Sequence, residues 1–478
     1  MKVIKFGGTS IGTVERFINV VNIIKNKCEE DKIIVVLSAI GGITDELINA
    51  VYYASEKNNN YLKIAEKIKS VHFDFLNKLI REPIKEQIIT VIEKIITELF
   101  IKLQGLYQKN NVSPKDKDSI ISLGEYLSNN LLVGALKSIG LEAKFFDSKN
   151  FIRTDSTFGE ANVNFHLTNK LIAESFRDID RTIIPVVNGF VGSDEQGNVT
   201  TLGRSGSDYT AAIIGAALKA DIVEIWTDVN GVLSADPKIV ENTFPIKELD
   251  YNEVAEIASF GAKVIFPKSM EPLQKQNIPM VILNSFNPKD KGTVVRNKSS
   301  ESSDIRVVTS MKNLSLVMLE KQNSKESLGI LIRLLKILSK HKLTYLLNGG
   351  TILQQSMGIH HFVVSFITSS LTVEKLIKEV QNEFEYELKS SIISKIRVLN
   401  NVAIISVFVG NKYRHSTNIR RIFETLSNNK IKVHLFFHRS SIEDISLVVD
   451  QKNEEAAINL IHNELFFEEI KKLEANVA

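Results

Sequence analysis

Two short apolar runs, each leading into adjacent glycines and then into a helical pattern, constrain this chain more than any other feature. Val3-Ile4-Lys5-Phe6 runs into Gly7-Gly8-Thr9-Ser10, after which Val14, Phe17, Ile18, Val20, Val21, Ile23 and Ile24 fall at helical spacing. Ile33-Ile34-Val35-Val36-Leu37 is continuous and β-branched, as a strand covered on both faces is. It ends at Ser38-Ala39-Ile40-Gly41-Gly42, and a second helix is expected from about Asp45 with Thr44 as its N-cap. Strand, glycine turn and helix in alternation specify βαβ units and a parallel sheet. In such sheets ligands bind beyond the carboxyl ends of the strands, so these turns are where chemistry is expected.

The glycines also exclude. None of the 24 is separated from another by a single residue, so the G-x-G-x-x-G turn of dinucleotide folds and protein kinases is absent. No G-x-x-x-x-G-K-[ST] occurs either, and a nucleotide bound here needs another cradle. Lys and Arg number 59 against 56 Asp and Glu, a net +3, which argues against nucleic acid held by bulk charge. Cys28 is the single cysteine, with no internal disulfide or thiolate zinc site open to it, and it fits a reducing cytoplasm. No apolar run approaches the ~20 residues of a membrane helix, and no signal segment opens the chain.

Residues 61–80 and 84–103 carry apolar stripes that read as a helical hairpin, inserted before the sheet pattern resumes near Lys144. Ile183 to Val187 and Glu224 to Asp228 read as further strands, and a small-residue helix is expected from Tyr209 to Leu218. With 478 residues there is room for about three domains. The polar stretch 297–304 reads as a linker after a first domain, 1–296. Beyond it an approximate βαββα pattern runs twice, over 305–400 and 401–478. Two such units with exposed edges can pair into one continuous sheet, and they suit ligand sensing and oligomerisation.

Four constellations can carry chemistry. Gly7 and Gly8 let backbone amides approach an anion, Thr9 and Ser10 can cap the following helix, and Lys5 adds a point charge; a tight turn beside a solvated lysine fits as well. Gly203-Arg204-Ser205-Gly206-Ser207-Asp208 offers an arginine fork, hydroxyls and a carboxylate, or simply a capped loop. Thr227-Asp228, Lys238 and Lys263 can address a ribose and phosphates, and Glu125, at a turn after Gly124, can take an amine or be a helix-end charge. The histidines show no H-E-x-x-H spacing and suggest no metal site.

Lys5-Phe6-Gly7-Gly8-Thr9-Ser10, Val36-Leu37-Ser38-Ala39, Gly42-Ile43-Thr44, Leu202 to Tyr209, Glu224 to Val229 and Phe260-Gly261-Ala262-Lys263-Val264 together closely resemble aspartokinase. The repeated C-terminal pattern resembles that family's paired ACT units. The resemblance implies an α/β fold of the amino-acid-kinase type, a mostly parallel sheet sandwiched by helices, followed by two ferredoxin-like units. It implies ATP-dependent phosphorylation of the β-carboxylate of L-aspartate to 4-phospho-L-aspartate, the first step toward lysine, threonine and methionine. Mg²⁺ would bridge the phosphates of ATP, with no metal site of the protein's own, and pairing through the ACT units would give a homodimer or tetramer. The length suggests a monofunctional chain, without an appended homoserine dehydrogenase.

By motif position, Lys5 would neutralise the transferring phosphoryl group and Asp208 would hold Lys5 or the substrate in register. Gly7, Gly8 and Ser10 would form the phosphate cradle. Arg204 would hold the α-carboxylate of aspartate, Glu125 its ammonium, and Ser38, Thr44 and Ser207 would line its pocket. Thr227, Asp228, Leu233, Lys238, Lys263 and Val264 would face the nucleotide. Leu233, Lys238 and Phe266 stand where the family usually has tyrosine, arginine and histidine. Tyr345 and Asn348-Gly349-Gly350-Thr351 replace the acidic and serine positions of feedback-inhibited members, although Ser440-Ser441 remains, so weak or absent feedback inhibition is expected. The alternatives are a related kinase acting on another carboxylate and a non-catalytic ACT-based regulatory paralogue.

Overall fold

The computed structural model describes residues 1–109, 111–262, 265–297, 306–322, 327–340, 346–354, 360–409, 415–439 and 444–477. They fall into two compact units. One comprises Met1–Val232, Pro245–Ala258 and Lys263–Glu301, and the other Leu233–Phe244, Ser259–Ala262 and Ser302–Ala478.

The first unit opens with β1 (Lys2–Phe6), a 3₁₀ turn (Gly8–Ile11), α1 (Val14–Glu30), β2 (Ile33–Leu37) and α2 (Ile43–Ser55). The inserted helices are α3 (Asn60–Leu79), α4 (Ile84–Gln108), α5 (Pro114–Ile121) and α6 (Leu123–Ser138). Then follow β3 (Ala143–Phe146), α7 (Phe165–Phe176), β4 (Ile184–Asn188), β5 (Val191–Ser193), β6 (Val199–Thr201), α8 (Gly206–Ala217) and β7 (Ile222–Thr227). The last elements are β8 (Glu248–Asp250), α9 (Tyr251–Ser259), α10 (Pro267–Gln276), β9 (Met280–Asn284) and β10 (Thr293–Arg296).

Eight strands form one sheet in the order β3-β4-β2-β1-β7-β9-β10-β8. Every pair is parallel except β9 with β10. β1 is central, with Lys5 opposite Val36 on one side and Ile225 on the other. β2 is buried along its whole length, as its unbroken apolar run requires.

The helical insertion packs by the stripes expected of it. Ile92, Leu99 and Leu103 of α4 and Ala65, Ile68 and Leu76 of α3 are fully buried. The α3 stripe is centred on Tyr61, not Leu62, which is 41% exposed. Truncating Leu99 to alanine in this core would cost about 2–5 kcal/mol. α1 is capped by the Thr13 hydroxyl, not by Thr9 or Ser10, which belong to the 3₁₀ turn. α2 starts at Ile43 with Gly42 as N-cap at φ 86°, a backbone state open to glycine and strained for threonine, so Thr44 lies inside the first turn instead of capping it.

The second unit contains β11 (Arg306–Gln322), α11 (Ser327–Lys340), β12 (Leu346–Gln354), β13 (His360–Ser369), α12 (Val373–Glu383), α13 (Glu385–Lys389) and β14 (Ile393–Val409). It continues with α14 (His415–Asn428), β15 (Val433–Arg439), β16 (Asp444–Asp450) and α15 (Glu454–Val477). Its antiparallel sheet runs β12-β13-β11-β14-β16-β15. β11 and β14 are long and pair along both halves: 306–311 registers with 404–409, and 314–321 with 393–402. The expected division at 400/401 falls inside one continuous strand, β14. Asn313 (φ 62°) and Asn401 (φ 54°) absorb the register shifts at the middle, since asparagine tolerates the left-handed region better than most residues do.

The segment Leu233–Phe244 belongs to this unit by contact. The Ser234 hydroxyl meets His462 Nε2 at 2.8 Å, and Phe244 packs edge-on against Phe466. Lys263, Val264, Tyr345, Ser440, Ser441 and most of the expected linker lie outside the described residues. Asn348 to Thr351 lie within β12.

Candidate active site

Beyond the carboxyl ends of β1, β2 and β7 lies a cavity of about 950 Å³, wholly within the first unit. Its walls are strand-to-helix turns brought into direct backbone contact. The Gly41 amide donates to the Gly8 carbonyl at 3.0 Å. A Cβ on Gly8 would sit 2.9 Å from the Ala39 carbonyl, so no larger residue fits there without a shift. A Cβ on Gly189 would likewise fall 2.5 Å from the Ser207 side chain, and that space lets the start of α8 reach the sheet. The first turns of α2 and α8 carry amides with no intrahelical partner, and both contribute residues to the cavity wall.

Of the charges around this cavity, one cation is paired and one arginine is not. Lys5 Nζ lies 2.5 Å from Asp208 Oδ1, the pair being mostly buried. Asp208 Oδ1 has no aligned hydrogen-bond donor, so the contact is a charge pairing. Arg204 is exposed, lines the cavity, and makes no hydrogen bond or ion pair among the described residues. Glu125 is 3% exposed; its Oε1 accepts from the Ala39 amide at 3.3 Å, and its Oε2 is buried without a partner. Burial pushes the Glu125 carboxyl up to about 8. Glu125 stands in the first turn of α6, not at a turn, because the chain breaks at Ser122 between α5 and α6.

The sequence-predicted residues separate into those the cavity gathers and those it does not. Lys5, Gly7, Gly8, Ser38, Thr44, Glu125, Arg204, Ser207, Asp208 and Thr227 all line it. Ser10 does not: it is fully buried, accepting from the Ser285 hydroxyl at 2.8 Å and lying 3.5 Å from the Trp226 carbonyl. The Asp228 carboxylate, also outside the lining, accepts from the Thr227 hydroxyl at 3.1 Å. Leu233 and Lys238 belong to the second unit, and the Lys238 amide closes a turn on Asp236 at 2.9 Å.

Sequence reasoning missed Asp118, Phe158, Gly159, Phe190 and Thr201, which are among the other residues of the wall. Phe190 (φ 70°) and Ser205 (φ 55°) both hold left-handed backbone at the cavity, and strain of this kind concentrates at working sites. Among the described residues no cluster of three metal-ligating side chains exists, and no helix is long and apolar enough to cross a membrane.

Comparisons with known proteins identify the family. Residues 1–284 match the amino acid kinase family. The chain is 30% identical to the chloroplastic aspartokinase 1 of Arabidopsis thaliana, over 97% of this chain and 80% of that one. It is also 30% identical to the bifunctional aspartokinase/homoserine dehydrogenase of Buchnera aphidicola, covering 98% of this chain and 57% of that longer relative. Aspartokinase III of Escherichia coli, solved with aspartate and ADP, superposes with a TM-score of 0.77 at 26% identity, covering 98% of this chain and all of the other. On its own cavity, its sheet order and these likenesses, the chain belongs to the amino acid kinase family and, within it, to the aspartokinases.

Proposed function

We propose that this chain transfers the γ-phosphoryl group of ATP to the β-carboxylate of L-aspartate, giving 4-phospho-L-aspartate and ADP, the step that opens the route to lysine, threonine and methionine. The observation that carries this reading is the pairing of unequal charges on one cavity wall. Lys5 beside Asp208 offers a cation for a transferring phosphoryl group, Arg204 an unpartnered fork for a carboxylate, and Glu125 Oε2 an unpartnered acceptor for an ammonium. The solved complex of E. coli aspartokinase III with aspartate and ADP supports the same pair of ligands.

The chemistry asks for this arrangement. A free aspartate carboxyl titrates near 3.9, so the nucleophile is already ionised at pH 7 and no general base is required. The obstacle is an anion approaching a polyanion, where each like-charge pair at 4 Å costs roughly 4 kcal/mol at an effective dielectric of 20. Catalysis is therefore neutralisation and in-line positioning. Lys5 withdraws from Asp208 toward the phosphoryl oxygens, with the Gly7-Gly8 backbone beside it. Arg204 and Glu125 grip the α-carboxylate and α-ammonium, while Ser38, Thr44 and Ser207 surround the side chain. Thr227 faces the nucleotide side. Asp208, the carboxylate beside Lys5, is the residue that would help hold a Mg²⁺ ion brought in with ATP. When bound, that ion supplies charge neutralisation at the phosphates.

The second unit acts as the regulatory and pairing half, giving a dimer or tetramer. The single Cys28 suits a reducing cytoplasm. The test is ATP-dependent hydroxamate formation with aspartate and, in parallel, with glutamate. Robust product from aspartate alone is expected. Product from glutamate alone would assign the chain to another carboxylate, and none from either would favour a non-catalytic paralogue.

A further inference from the structure

Asp118 has no place in the reading above, yet it lines the same cavity and is only 2% exposed. One of its oxygens, Oδ2, accepts two backbone amides from distant segments: Gly159 at 2.9 Å and Thr201 at 2.8 Å. Those segments are stitched to each other, because the Ala161 amide donates to the Thr201 carbonyl at 2.9 Å. They also touch further along, where a Cβ on Gly203 would lie 3.1 Å from Glu160 Cγ and 3.3 Å from the Gly159 carbonyl. Thr201 ends the short strand β6, whose strand partner is β5, and the chain then passes through Leu202 and Gly203 to Arg204. The arginine loop is thus held by Asp118, beside the Leu202 amide that donates to the Phe190 carbonyl at 2.9 Å.

The other end of the link is equally informative. Asp118 lies in α5, its carbonyl accepts the Ser122 amide at 3.1 Å, and Ser122 leads into the first turn of α6, which holds Glu125. One buried carboxylate on α5, the helix that leads through Ser122 into α6 and Glu125, therefore ties that segment to the loop that carries Arg204. The ammonium and carboxylate these two residues are read to grip sit on a single carbon, so their spacing tolerates little error. The phosphoryl end has anchors that do not involve Asp118: Lys5 lies on the central strand β1, and α8 is held by the Phe190 amide donating to Thr210 Oγ1 at 3.0 Å.

We propose that Asp118 is a positioning residue that holds the Arg204 loop in register with Glu125, and so sets affinity for the amino-acid substrate and not the rate of phosphoryl transfer. The proposal rests on the functional reading given above.

Steady-state kinetics of the wild type, Asp118→Asn and Asp118→Ala, with amide hydrogen exchange on each, test it. Asp118→Ala, which removes both hydrogen bonds of the carboxylate, should raise KM for aspartate by about tenfold, while KM for ATP and kcat change less than about twofold. Asp118→Asn keeps an acceptor oxygen and should fall between, near threefold. If the alanine variant does not fold, that intermediate value decides alone. Exchange should quicken in segments 155–162 and 199–204 and nowhere else. Wild-type KM for aspartate in a folded variant would overturn the role. So would an equal rise in KM for ATP with exchange quickened throughout, the pattern of mere loosening. A wild-type enzyme that does not turn over aspartate would overturn the functional reading and this role with it, whereas an active wild type with indifferent variants would overturn the role alone.

Discussion

In the first unit a few buried polar groups, Glu125 among them, face a cavity; in the second, buried hydroxyls pair with one another inside the sheet. Glu125 keeps an unpartnered oxygen at the cavity wall. Ser406 and Ser446, both fully buried, share a 2.8 Å hydrogen bond, and Ser315 meets Asn400 at 2.8 Å and Ser370 at 3.1 Å. An unsatisfied buried group costs about 1–3 kcal/mol, a cost that a ligand can repay where the group faces a cavity. Paired hydroxyls inside a sheet cost little and specify register. Left unpaired at the cavity, a buried polar atom marks a candidate binding site; paired inside a sheet, it is architecture.

The largest effect that can break this contrast is at the charge pair. Lys5→Ala and Asp208→Ala should each lower turnover by about 10³-fold while circular dichroism stays unchanged. Ser446→Ala should leave turnover within about twofold and cost about 1 kcal/mol in urea unfolding. Near-wild-type turnover in either charge variant would dissolve the distinction.

Next in size is Glu125→Gln. Its carboxyl, held near 8 by burial against an ordinary 4.5, keeps a proton in the folded chain that the unfolded chain loses, so stability falls as pH rises from about 4.5 to 8. Glutamine carries no such penalty. The variant should melt a few degrees higher at pH 8 (about 2–4 °C for each kcal/mol recovered) and yet lose at least about tenfold in KM for aspartate. In the wild type, kcat/KM for aspartate should climb as pH rises toward about 8, the limb on which Glu125 ionises. A variant less stable at pH 8, or a flat profile, would show that the carboxylate is structural.

A smaller effect compares the units directly. His72 in the first and His462 in the second are both pulled down to about 4 by burial. A depressed folded value means stability present above about 6.5 and lost as pH falls toward 4, at up to about 1.4 kcal/mol per pH unit for each. Replacing either by leucine should flatten acid unfolding in urea titrations without altering kcat at pH 7.5. The smallest effect concerns Leu233. Leu233→Tyr should tighten ATP by about 1 kcal/mol if that position reaches the nucleotide, and titration calorimetry reads the shift; no change would confine the segment to the second unit.

How much was legible follows the same division. Gly7-Gly8 and the Arg204 to Asp208 loop stood out as residue types suited to phosphate and carboxylate, but a tight turn and a capped loop fitted them as well, and their expected roles came from the resemblance to aspartokinase. Ser10 was misread, since its hydroxyl turns to Ser285, a neighbour set by sheet order and invisible in local sequence. Asp118 was hidden within Lys115-Asp116-Lys117-Asp118, a charge run that looks solvated; only the tertiary contact buries its last member. In the second unit the alternation of strands and helices was plain. The merging of 393–399 and 402–409 into one strand was not, because Asn400-Asn401 reads as a turn and serves as a bulge.

The central claim is that Lys5, Arg204 and Glu125 serve one pair of anions in one cavity. A crystal structure with aspartate and a non-hydrolysable ATP analogue tests it most directly. The account predicts Lys5 Nζ on the terminal phosphate and Arg204 with Glu125 on the α-carboxylate and α-ammonium of the same bound aspartate. Aspartate lodged elsewhere, or Lys5 still closed on Asp208 with both ligands present, would contradict it.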